Sequence, residues 1–194
     1  MSGRVDGRVC LVTGAAQGIG ATYAKALARE GAKVAVVDID DTSGVVEEII
    51  AAEGEAAGFC NDVSNWGSCQ EMVRATKETF GRVDVLINNA HQAYQRKWFE
   101  EASWEEFQRE LDTLIKGPFN TVQSALPYMK ANGGSIINIS STMAQLPLVE
   151  HSFYATAKSA LVGLTRSLAL ELGPVSYTHL RAHETDSYLV CRLL

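Results

Sequence analysis

Tyr154 and Lys158 stand four residues apart in the segment YATAK, and this pair could carry acid–base chemistry. On a helix, such a spacing puts both side chains on one face, with about 5 to 6 Å between their Cβ atoms. An ammonium group that close favours the phenolate form of a tyrosine, so the hydroxyl can exchange a proton near neutral pH. A surface pair with no chemical role has the same spacing, and the pair alone does not decide between the two interpretations.

A serine hydroxyl is the third candidate group. Ser141 closes the apolar segment GSIINISS, which is predicted to form a strand. Ligands of open α/β sheets bind beyond the carboxyl ends of the strands, so a side chain at this point would lie near a bound substrate. The predicted catalytic residues are therefore Ser141, Tyr154 and Lys158.

A glycine-rich segment, TGAAQGIG at residues 13–20, lies between the first predicted strand and a predicted helix. The amides of such a loop and of the helix N-terminus can bind a pyrophosphate. The next strand reaches Asp38, close to where a dinucleotide-binding fold places a carboxylate on the adenosine ribose. That carboxylate would repel a 2′-phosphate and Gln17 offers no cation, which favours NAD over NADP. A tight strand-to-helix turn without a ligand is the alternative.

The elements that would position these residues alternate along the chain. Short β-branched apolar segments read VCLVTG, KVAVVDID, AAGFCNDV, VDVLINNA and GSIINISS. Segments that are apolar on both sides of the pleat indicate strands covered on both faces, and helical patterns separate them. We predict a three-layer α/β fold with a doubly wound parallel sheet of five strands. The predicted helices run over residues 18–30, 43–53, 65–80, 117–131 and 151–172. Ser43 can cap the second of these, and Asn65 or Ser64 can cap the third. Pro127 should kink the fourth or mark its last turn, and a Ser103–Glu106 capping box starts a further helix.

The composition describes one globular domain. The chain has 194 residues, of which 46% are hydrophobic and 21% are charged. A formal net charge of -6 argues against nucleic acid and anionic membranes as partners, since both select for clustered Lys and Arg. No signal-peptide pattern and no run of roughly 18 apolar residues occurs, so we expect a cytoplasmic protein that acts on small molecules. The four cysteines form no CxxC pair and are predicted to be reduced.

Several motifs in order carry a resemblance to a known family. They are TGAAQGIG, Asp38, the NDV of Asn61–Val63, the NNA of Asn88–Ala90, Ser141 and YATAK. Together they resemble the short-chain dehydrogenase/reductase family in its compact NAD(P)-dependent form, over about residues 5 to 174. The resemblance implies a Rossmann fold in residues 1–174 and a homodimer or homotetramer. It also implies hydride transfer between nicotinamide C4 and a carbon that bears a hydroxyl or carbonyl, and Asp38 makes alcohol oxidation the more natural direction.

The resemblance also implies a role for each site residue. Tyr154 would be the general acid/base, Lys158 would hold the nicotinamide ribose, and Ser141 would orient the substrate oxygen. Asp62 and Val63 would contact adenine, while the NNA segment would line the cofactor cleft. The predicted cofactor-binding residues are Thr13, Gly14, Gln17, Gly18, Ile19, Gly20, Asp38, Asp62, Val63, Asn89, Ala90, Tyr154 and Lys158.

Two positions depart from the family pattern. The family usually continues NNA with glycine, whereas this chain has His91, which would either contact a substrate or point to solvent. The family commonly has an asparagine three residues before the glycine of a segment like LIKGPF, where it holds a water of the proton relay. Leu114 takes that place and cannot bind the water, so the relay must use backbone carbonyls or another route.

The segment after Pro174, VSYTHLRAHETDSYLVCRLL, does not continue the family pattern. His179, His183 and Glu184 could suggest a metal site, but a third well-spaced ligand is lacking and no metal is predicted. A genuine alternative C-terminus is a second interpretation. We favour a third, that residues 175–194 are foreign, because they resemble translated adapter-like sequence at the ends of unrelated reading frames.

By the resemblance, relatives continue into a sixth and a seventh strand, and neither is recognisable in this sequence. Their loss would have two consequences. The fifth strand would keep an unpaired apolar edge, which invites aggregation, and the chain as written is expected to be poorly soluble or inactive.

Two functions remain open from the sequence. One is an NAD-dependent dehydrogenase acting on a secondary alcohol or ketone, and the other is a dinucleotide-binding module without catalysis.

Overall fold

Strands and helices alternate through most of the chain. The computed structural model describes residues 3–92, 96–130, 132–173 and 188–193, and for the last range the backbone alone. The strands are β1 (Val9–Thr13), β2 (Lys33–Asp38), β3 (Glu55–Cys60), β4 (Val85–Asn88), β5 (Gly134–Ile139) and β6 (Tyr188–Leu193). The α-helices are α1 (Gly18–Arg29), α2 (Ser43–Ala51), α3 (Trp66–Phe80), α4 (Trp104–Leu111), α5 (Gly117–Met129) and α6 (Ser152–Leu172).

The strands form one sheet in the order β3-β2-β1-β4-β5-β6. The first five strands are parallel, and β1 lies between β2 and β4, so Leu11 is paired with Ala35 on one side and with Leu86 on the other. The chain moves outward from β1 to β3 and then crosses back to β4. The strand order therefore reverses beside β1, and the predicted doubly wound sheet is confirmed. Open α/β sheets bind ligands at this reversal, beyond the carboxyl ends of the strands.

Helices cover the parallel sheet on both faces. On one face, α3, α5 and α6 pack over a core that includes Leu11, Leu86 and Ile136. On the other face, α1 and α2 pack over a second core that includes Val12 and Val36. Neighbouring residues of β1 thus point into different cores, which explains why its sequence is apolar from Val9 to Val12 rather than alternating.

Side-chain caps set the starts of two helices as the sequence predicts. Asn65 accepts a hydrogen bond from a backbone amide in the first turn of α3, and Ser103 and Glu106 form the reciprocal capping box of α4. The start of α2 differs from the prediction, since Ser43 is already the first helical residue and Thr42 is the N-cap residue. Orphan amides at a helix start need such acceptors, which makes these positions readable from sequence.

Between α4 and α5 the helix winds differently. Asp112–Lys116 form a π-helical segment, and α5 follows it directly at Gly117. Leu114 lies at the centre of this segment and is buried. Segments of this kind within longer helices occur frequently at functional sites. Pro127 lies in the last turn of α5, as predicted for a residue that lacks an amide hydrogen.

A chain of buried polar side chains links the sheet to two helices. Thr121 of α5 donates to Asn88 of β4 at 2.7 Å, and the Asn88 amide donates to Asn138 of β5 at 2.8 Å. The Asn138 amide in turn donates to Thr165 of α6 at 2.8 Å. Buried amides without partners are costly, so this complete chain fixes the two strands and the two helices relative to one another.

The edge of the sheet differs from the prediction. β6 pairs with β5 in antiparallel orientation, with Ile137 opposite Val190. The prediction of an unpaired edge at β5 is therefore wrong, because a strand from the C-terminal segment supplies backbone hydrogen bonds along it. The strand at this edge is antiparallel, whereas the resemblance implies a parallel sixth strand there. Residues 174–187, which include the histidines of the rejected metal site, lie outside the described residues.

Two classes of feature are not found in the described part of the chain. No helix there is long and apolar enough to cross a membrane. No group of three or more His, Cys, Asp or Glu side chains is arranged to hold a metal ion in those same ranges.

Candidate active site

The carboxyl ends of β1 and β4 are joined by Thr13. Its hydroxyl oxygen accepts hydrogen bonds from the amides of Asn89 and Ala90, each at 3.1 Å. The Asn89 side chain donates to the carbonyl oxygens of Thr13 and Gly14 at 3.0 Å. Thr13, Asn89 and Ala90 were predicted to lie at a cofactor, and the structure brings them together at the strand reversal. Their mutual hydrogen bonds hold the glycine-rich loop against the NNA segment.

The glycines of this loop are required by close packing. Gly14 has φ +65°, and a Cβ atom there would lie 2.6 Å from the Cα of Ala90. A Cβ at Gly20 would lie 2.1 Å from the carbonyl oxygen of Gly14. Both contacts involve backbone, so no side-chain rotation relieves them. The loop therefore approaches the NNA segment as closely as a backbone can.

We expect Gly14→Ala to destabilise the protein by about 1 to 3 kcal/mol, because it combines a left-handed conformation with a backbone clash. The free energy of unfolding from urea denaturation measures the effect. Gly44→Ala is the matched control, since Gly44 is helical and has open space around its Cβ position. That control should be neutral or stabilising by about 0.5 to 1 kcal/mol. Equal stabilities of the two variants would contradict the close-packing argument.

The start of α1 presents backbone amides to the same crevice. Gln17 is the N-cap residue, and its side chain makes no capping hydrogen bond. Gly18 has φ +60°, and the side chain of Ile19 is 62% exposed. The first turn of α1 contains no acidic residue. Amides left uncapped at the positive end of a helix dipole are suited to an anion such as a phosphate.

Asp38 ends β2 beside the glycine-rich loop. One carboxylate oxygen accepts a hydrogen bond from the amide of Ala16 at 2.9 Å, and the other accepts from the amide of Asp40 at 3.2 Å. These two contacts fix the orientation of the carboxylate next to the loop. The structure thus places Asp38 beside the glycine-rich loop, and its contact with a ribose stays a prediction.

The two residues predicted to contact adenine, Asp62 and Val63, differ in how far a ligand can reach them. Asp62 is exposed after β3, and its carboxylate accepts a hydrogen bond from the amide of Ser64 at 2.8 Å. The side chain of Val63 is buried in the core, and its carbonyl oxygen accepts a hydrogen bond from the side chain of Asn120 at 3.0 Å. A ligand contact at Val63 would have to use its amide, because its side chain and carbonyl are occupied.

Helix α6 brings Tyr154 and Lys158 together. The Lys158 ammonium lies 5.6 Å from the centre of the Tyr154 ring and donates a hydrogen bond to the carbonyl oxygen of Ile139 at 2.6 Å. Lys158 is buried, and this burial lowers its pKa to about 8, against the opposing charge of Glu110. The carbonyl at the end of β5 thus anchors the ammonium beneath the tyrosine.

Ser141 follows β5 at the same end of the sheet. Its hydroxyl oxygen accepts a hydrogen bond from the amide of Met143 at 3.2 Å and caps a short 3₁₀ turn over Thr142–Ala144. This contact fixes the oxygen and does not use the hydroxyl hydrogen. The predicted catalytic serine therefore lies on the segment that follows the strand anchoring Lys158.

Two further groups lie beside the predicted catalytic pair. The ring of His91 meets the ring of Tyr154 edge to face, with 5.3 Å between the centres. The Nε2 atom of His91 lies 3.8 Å from the Oε1 atom of Glu110. Burial lowers the pKa of His91 to about 4 and raises that of Glu110 to about 7, while the Lys158 charge lowers both. From the sequence, the side chain of His91 would either contact a substrate or point to solvent. In the structure its ring contacts Tyr154, and 35% of the side chain is exposed.

Sequence reasoning missed Glu110 altogether. The residue is 3% exposed in the last turn of helix α4. A helical projection from Trp104 puts Glu110 on the same face as Phe107 and Leu114, and that spacing is the signal that could have found it. Glu110 and Tyr154 both line a cavity of about 300 Å³ whose wall also includes Gln92, Arg109 and His151.

The raised pKa of Glu110 makes stability depend on pH. In the unfolded chain its carboxyl ionises near pH 4.5, while in the folded protein it stays protonated to about pH 7. The folded state therefore loses stability as pH rises from 4.5 to 7. Glu110→Gln lacks this ionisation, so we expect its free energy of unfolding to rise relative to the parent by up to about 3 kcal/mol from pH 5 to pH 8. Urea denaturation at both pH values measures this change, and the exposed Glu105→Gln is the control. A stability difference between variant and parent that is the same at pH 5 and pH 8 would contradict the prediction.

Comparison with known proteins agrees with this geometry. The family model described as short chain dehydrogenase matches residues 8–180. The chain belongs to the short-chain dehydrogenase family. An oxidoreductase of Thermotoga maritima described as uncharacterized is 41% identical over 169 residues, which are 86% of this chain and 66% of that protein.

Two further relatives extend the comparison. Trans-4-hydroxycyclohexanecarboxylate dehydrogenase of Sinomonas cyclohexanicum is 39% identical over 182 residues, 90% of this chain and 70% of that protein. The crystal structure of carveol dehydrogenase from Mycobacterium avium, in complex with NAD, superposes with a TM-score of 0.85 at 26% identity, covering 89% of this chain and 68% of that one. The chain thus spans about two thirds of the length of the proteins that it matches.

Proposed function

We propose that this chain carries the cofactor-binding and catalytic residues of an NAD-dependent oxidoreductase. Its reaction would move a hydride between nicotinamide C4 and the carbon of a secondary alcohol or ketone in a small molecule. The observation that carries the proposal is the buried Lys158 ammonium, anchored on Ile139 beneath Tyr154 at the carboxyl edge of the sheet. Relatives named as dehydrogenases, one of them in complex with NAD, support the class of reaction.

The residues present fit a dinucleotide. The loop around Gly14 and Gly20 leaves no room for a Cβ atom, and the amides of the first turn of α1 lack a side-chain cap from Gln17. A pyrophosphate would lie on those amides, and Asp38 would accept hydrogen bonds from the ribose hydroxyls. The carboxylate of Asp38 favours NAD, because a 2′-phosphate at that point would meet a negative charge.

In this mechanism the cofactor supplies the hydride acceptor, and the chain supplies position and proton transfer. Ser141 would donate its unused hydroxyl hydrogen to the substrate oxygen and so orient the reacting carbon. Tyr154 would take the hydroxyl proton of an alcohol during oxidation, and return it during reduction. The Lys158 ammonium, 5.6 Å from the centre of the ring, would hold the tyrosine in place beside the bound cofactor. Holding these groups in place before the reaction lowers its entropic cost.

The first experiment is to read the genomic DNA downstream of the codon for Pro174 and to express the gene in full. NADH formation is then followed by absorbance over a panel of cyclic secondary alcohols, polyols and hydroxysteroids. Turnover of at least one alcohol with NAD is the expected result. No turnover of any panel member with NAD or NADP, by a folded protein, would refute the proposed reaction.

A non-catalytic dinucleotide-binding module is the second candidate. The replacement of the relay asparagine by Leu114 is the observation that favours it. Calorimetry distinguishes the two proposals, since NAD binding without turnover would support the module. A cytoplasmic location remains a prediction from the sequence.

Assembly into a homodimer or homotetramer is also a proposal. Phe119 of α5 and Leu170 of α6 are exposed apolar residues on the two helices through which such assembly is expected. Exposed apolar side chains on both of these helices support a protein partner, and a second copy of the chain is the simplest one.

A further inference from the structure

Glu110 combines burial with an unsatisfied oxygen. The residue is 3% exposed, and its Oε1 atom has no hydrogen-bond partner among the described residues. It lies in the last turn of α4, immediately before the π-helical segment Asp112–Lys116. It also lines the cavity that Tyr154 borders. A buried carboxyl of this kind is unfavourable for stability, which points to a functional reason for its presence.

The groups that face this carboxyl from other elements are His91 and Lys158. His91 follows β4, and its Nε2 atom is 3.8 Å from Oε1 of Glu110 while its ring contacts the Tyr154 ring. Lys158 of α6 interacts electrostatically with the carboxyl and lies under the same tyrosine. Glu110 is thus linked to Tyr154 on two sides, through an imidazole and through an ammonium.

Other ionisable groups around the cavity have their own partners or a different location. Lys97 forms an ion pair with Glu106. The Nδ1 atom of His151 is hydrogen-bonded to a backbone carbonyl at 2.7 Å. Arg109 and Glu150 also line the cavity, but Arg109 is exposed and Glu150 lies before α6, on the loop that contacts Lys97 through its backbone.

Leu114, next to this group of residues, contributes no polar side chain to proton transfer. It lies one helical turn after Glu110, and its buried aliphatic side chain offers no hydrogen-bonding group. A tyrosine that accepts a proton in each turnover must release it again, and His91 and Glu110 are the polar groups beside it that can receive that proton. Resting on the proposed function, we propose that Glu110 returns the Tyr154 proton to the solvent of the cavity, with His91 as the bridging group.

The proposed proton transfer balances at each step. During oxidation the substrate hydride leaves with its electron pair to nicotinamide C4, and the hydroxyl proton passes to Tyr154. His91 takes a proton at one ring nitrogen and gives one from the other to the Glu110 carboxylate. Glu110 then releases its proton to water, and the imidazole returns to its starting tautomer. Glu110 acts through His91 and is a positioning and relay residue, since it does not touch the substrate.

The test compares Glu110→Gln with the parent enzyme, both expressed from the full gene. In the parent, kcat for alcohol oxidation should rise with pH around a midpoint near 7, where Glu110 titrates. In the variant this rising limb should be absent and kcat should fall about tenfold. KM for NAD should stay unchanged, because Glu110 does not contact the dinucleotide crevice. Burial lowers the pKa of Lys158 to about 8, close to that of Glu110, so the loss of the limb in Glu110→Gln, and not its midpoint, assigns it to Glu110.

Three further variants separate a relay from a structural role. His91→Phe should lower kcat to a similar extent, and the double variant with Glu110→Gln should lose little more, since residues on one route are not additive. Adding Leu114→Asn to Glu110→Gln restores an amide in the relay and should recover most of the lost kcat. Glu105→Gln, an exposed carboxyl on the same helix, is the matched control and should leave the pH profile unchanged.

The outcomes separate this inference from the proposed function. A Glu110→Gln enzyme with the parent kcat and pH profile would overturn the inference and leave the proposed function standing. A lower kcat with the limb near pH 7 retained would equally overturn it, because Glu110 would then act only on structure. An enzyme that oxidises no alcohol would remove the proposed function, and this inference with it.

Discussion

Tyr154→Phe is expected to lower kcat for alcohol oxidation by about a thousandfold, within the range that general acid–base catalysis supplies. The variant loses one oxygen atom, and with it the group that takes the substrate proton. The phenyl ring still fills the space beside His91 and over Lys158, so folding and NAD binding should be preserved. Steady-state kinetics on the full gene product measure the effect, and calorimetry with NADH measures the binding.

The matched control for this change is Tyr23→Phe. Tyr23 packs on the α1 side of the sheet, away from the crevice, and removing its hydroxyl should leave kcat within about twofold of the parent value. Undiminished activity of Tyr154→Phe would refute the role assigned to Tyr154. Loss of NADH binding together with kcat would show that the substitution disturbs the cofactor site instead.

Asp38→Asn is expected to shift the preference from NAD toward NADP by about a hundredfold or more. A carboxylate facing a 2′-phosphate is a like-charge contact that costs several kcal/mol, and about 2.7 kcal/mol corresponds to a factor of a hundred. Asparagine keeps an oxygen that can accept from the Ala16 amide, so the loop should hold its shape. The ratio of kcat/KM for the two cofactors measures the shift.

Asp40→Asn is the control for the change at Asp38. Asp40 lies two residues further on and is exposed. Its substitution removes one negative charge from the same loop, as Asp38→Asn does. It should alter the cofactor ratio by less than about threefold, since exposed charges are screened by salt. If Asp38→Asn leaves the preference for NAD intact, the discrimination does not depend on this carboxylate.

The fold could be predicted from sequence because its signals are local. The inner strands β1, β2 and β4 are apolar at both faces of the pleat, and the caps at Asn65 and Ser103 lie where the sequence predicts them. The family resemblance, which rested on ordered short motifs, is confirmed by the family match. Gly14 and Asp38 could be placed at the edge of the sheet for the same reason, since Gly14 directly follows β1 and Asp38 ends β2.

The missed features depend on contacts between distant segments. Glu110 is buried because α4 turns it toward His91 and Lys158, and its own sequence neighbourhood reads as an ordinary charged helix. The π-helical winding around Leu114 was not predicted, because such a segment is defined by its backbone hydrogen bonds and no sequence motif marks it here. The pairing of β6 with β5 was missed because the C-terminal segment carries no sustained alternation. The roles of Ser141, Tyr154 and Lys158 stay predictions, although their arrangement agrees with the expectation.

The buried polar chain from Thr121 through Asn88 and Asn138 to Thr165 has a consequence for entropy. It locks α6, which carries Tyr154 and Lys158, to the strand that leads into the NNA segment. The side chains at the crevice therefore lose much of their conformational freedom when the chain folds, rather than when a ligand arrives. Less ordering then remains to oppose binding, and rigid support of this kind is what keeps reacting groups within a fraction of an ångström of their working positions.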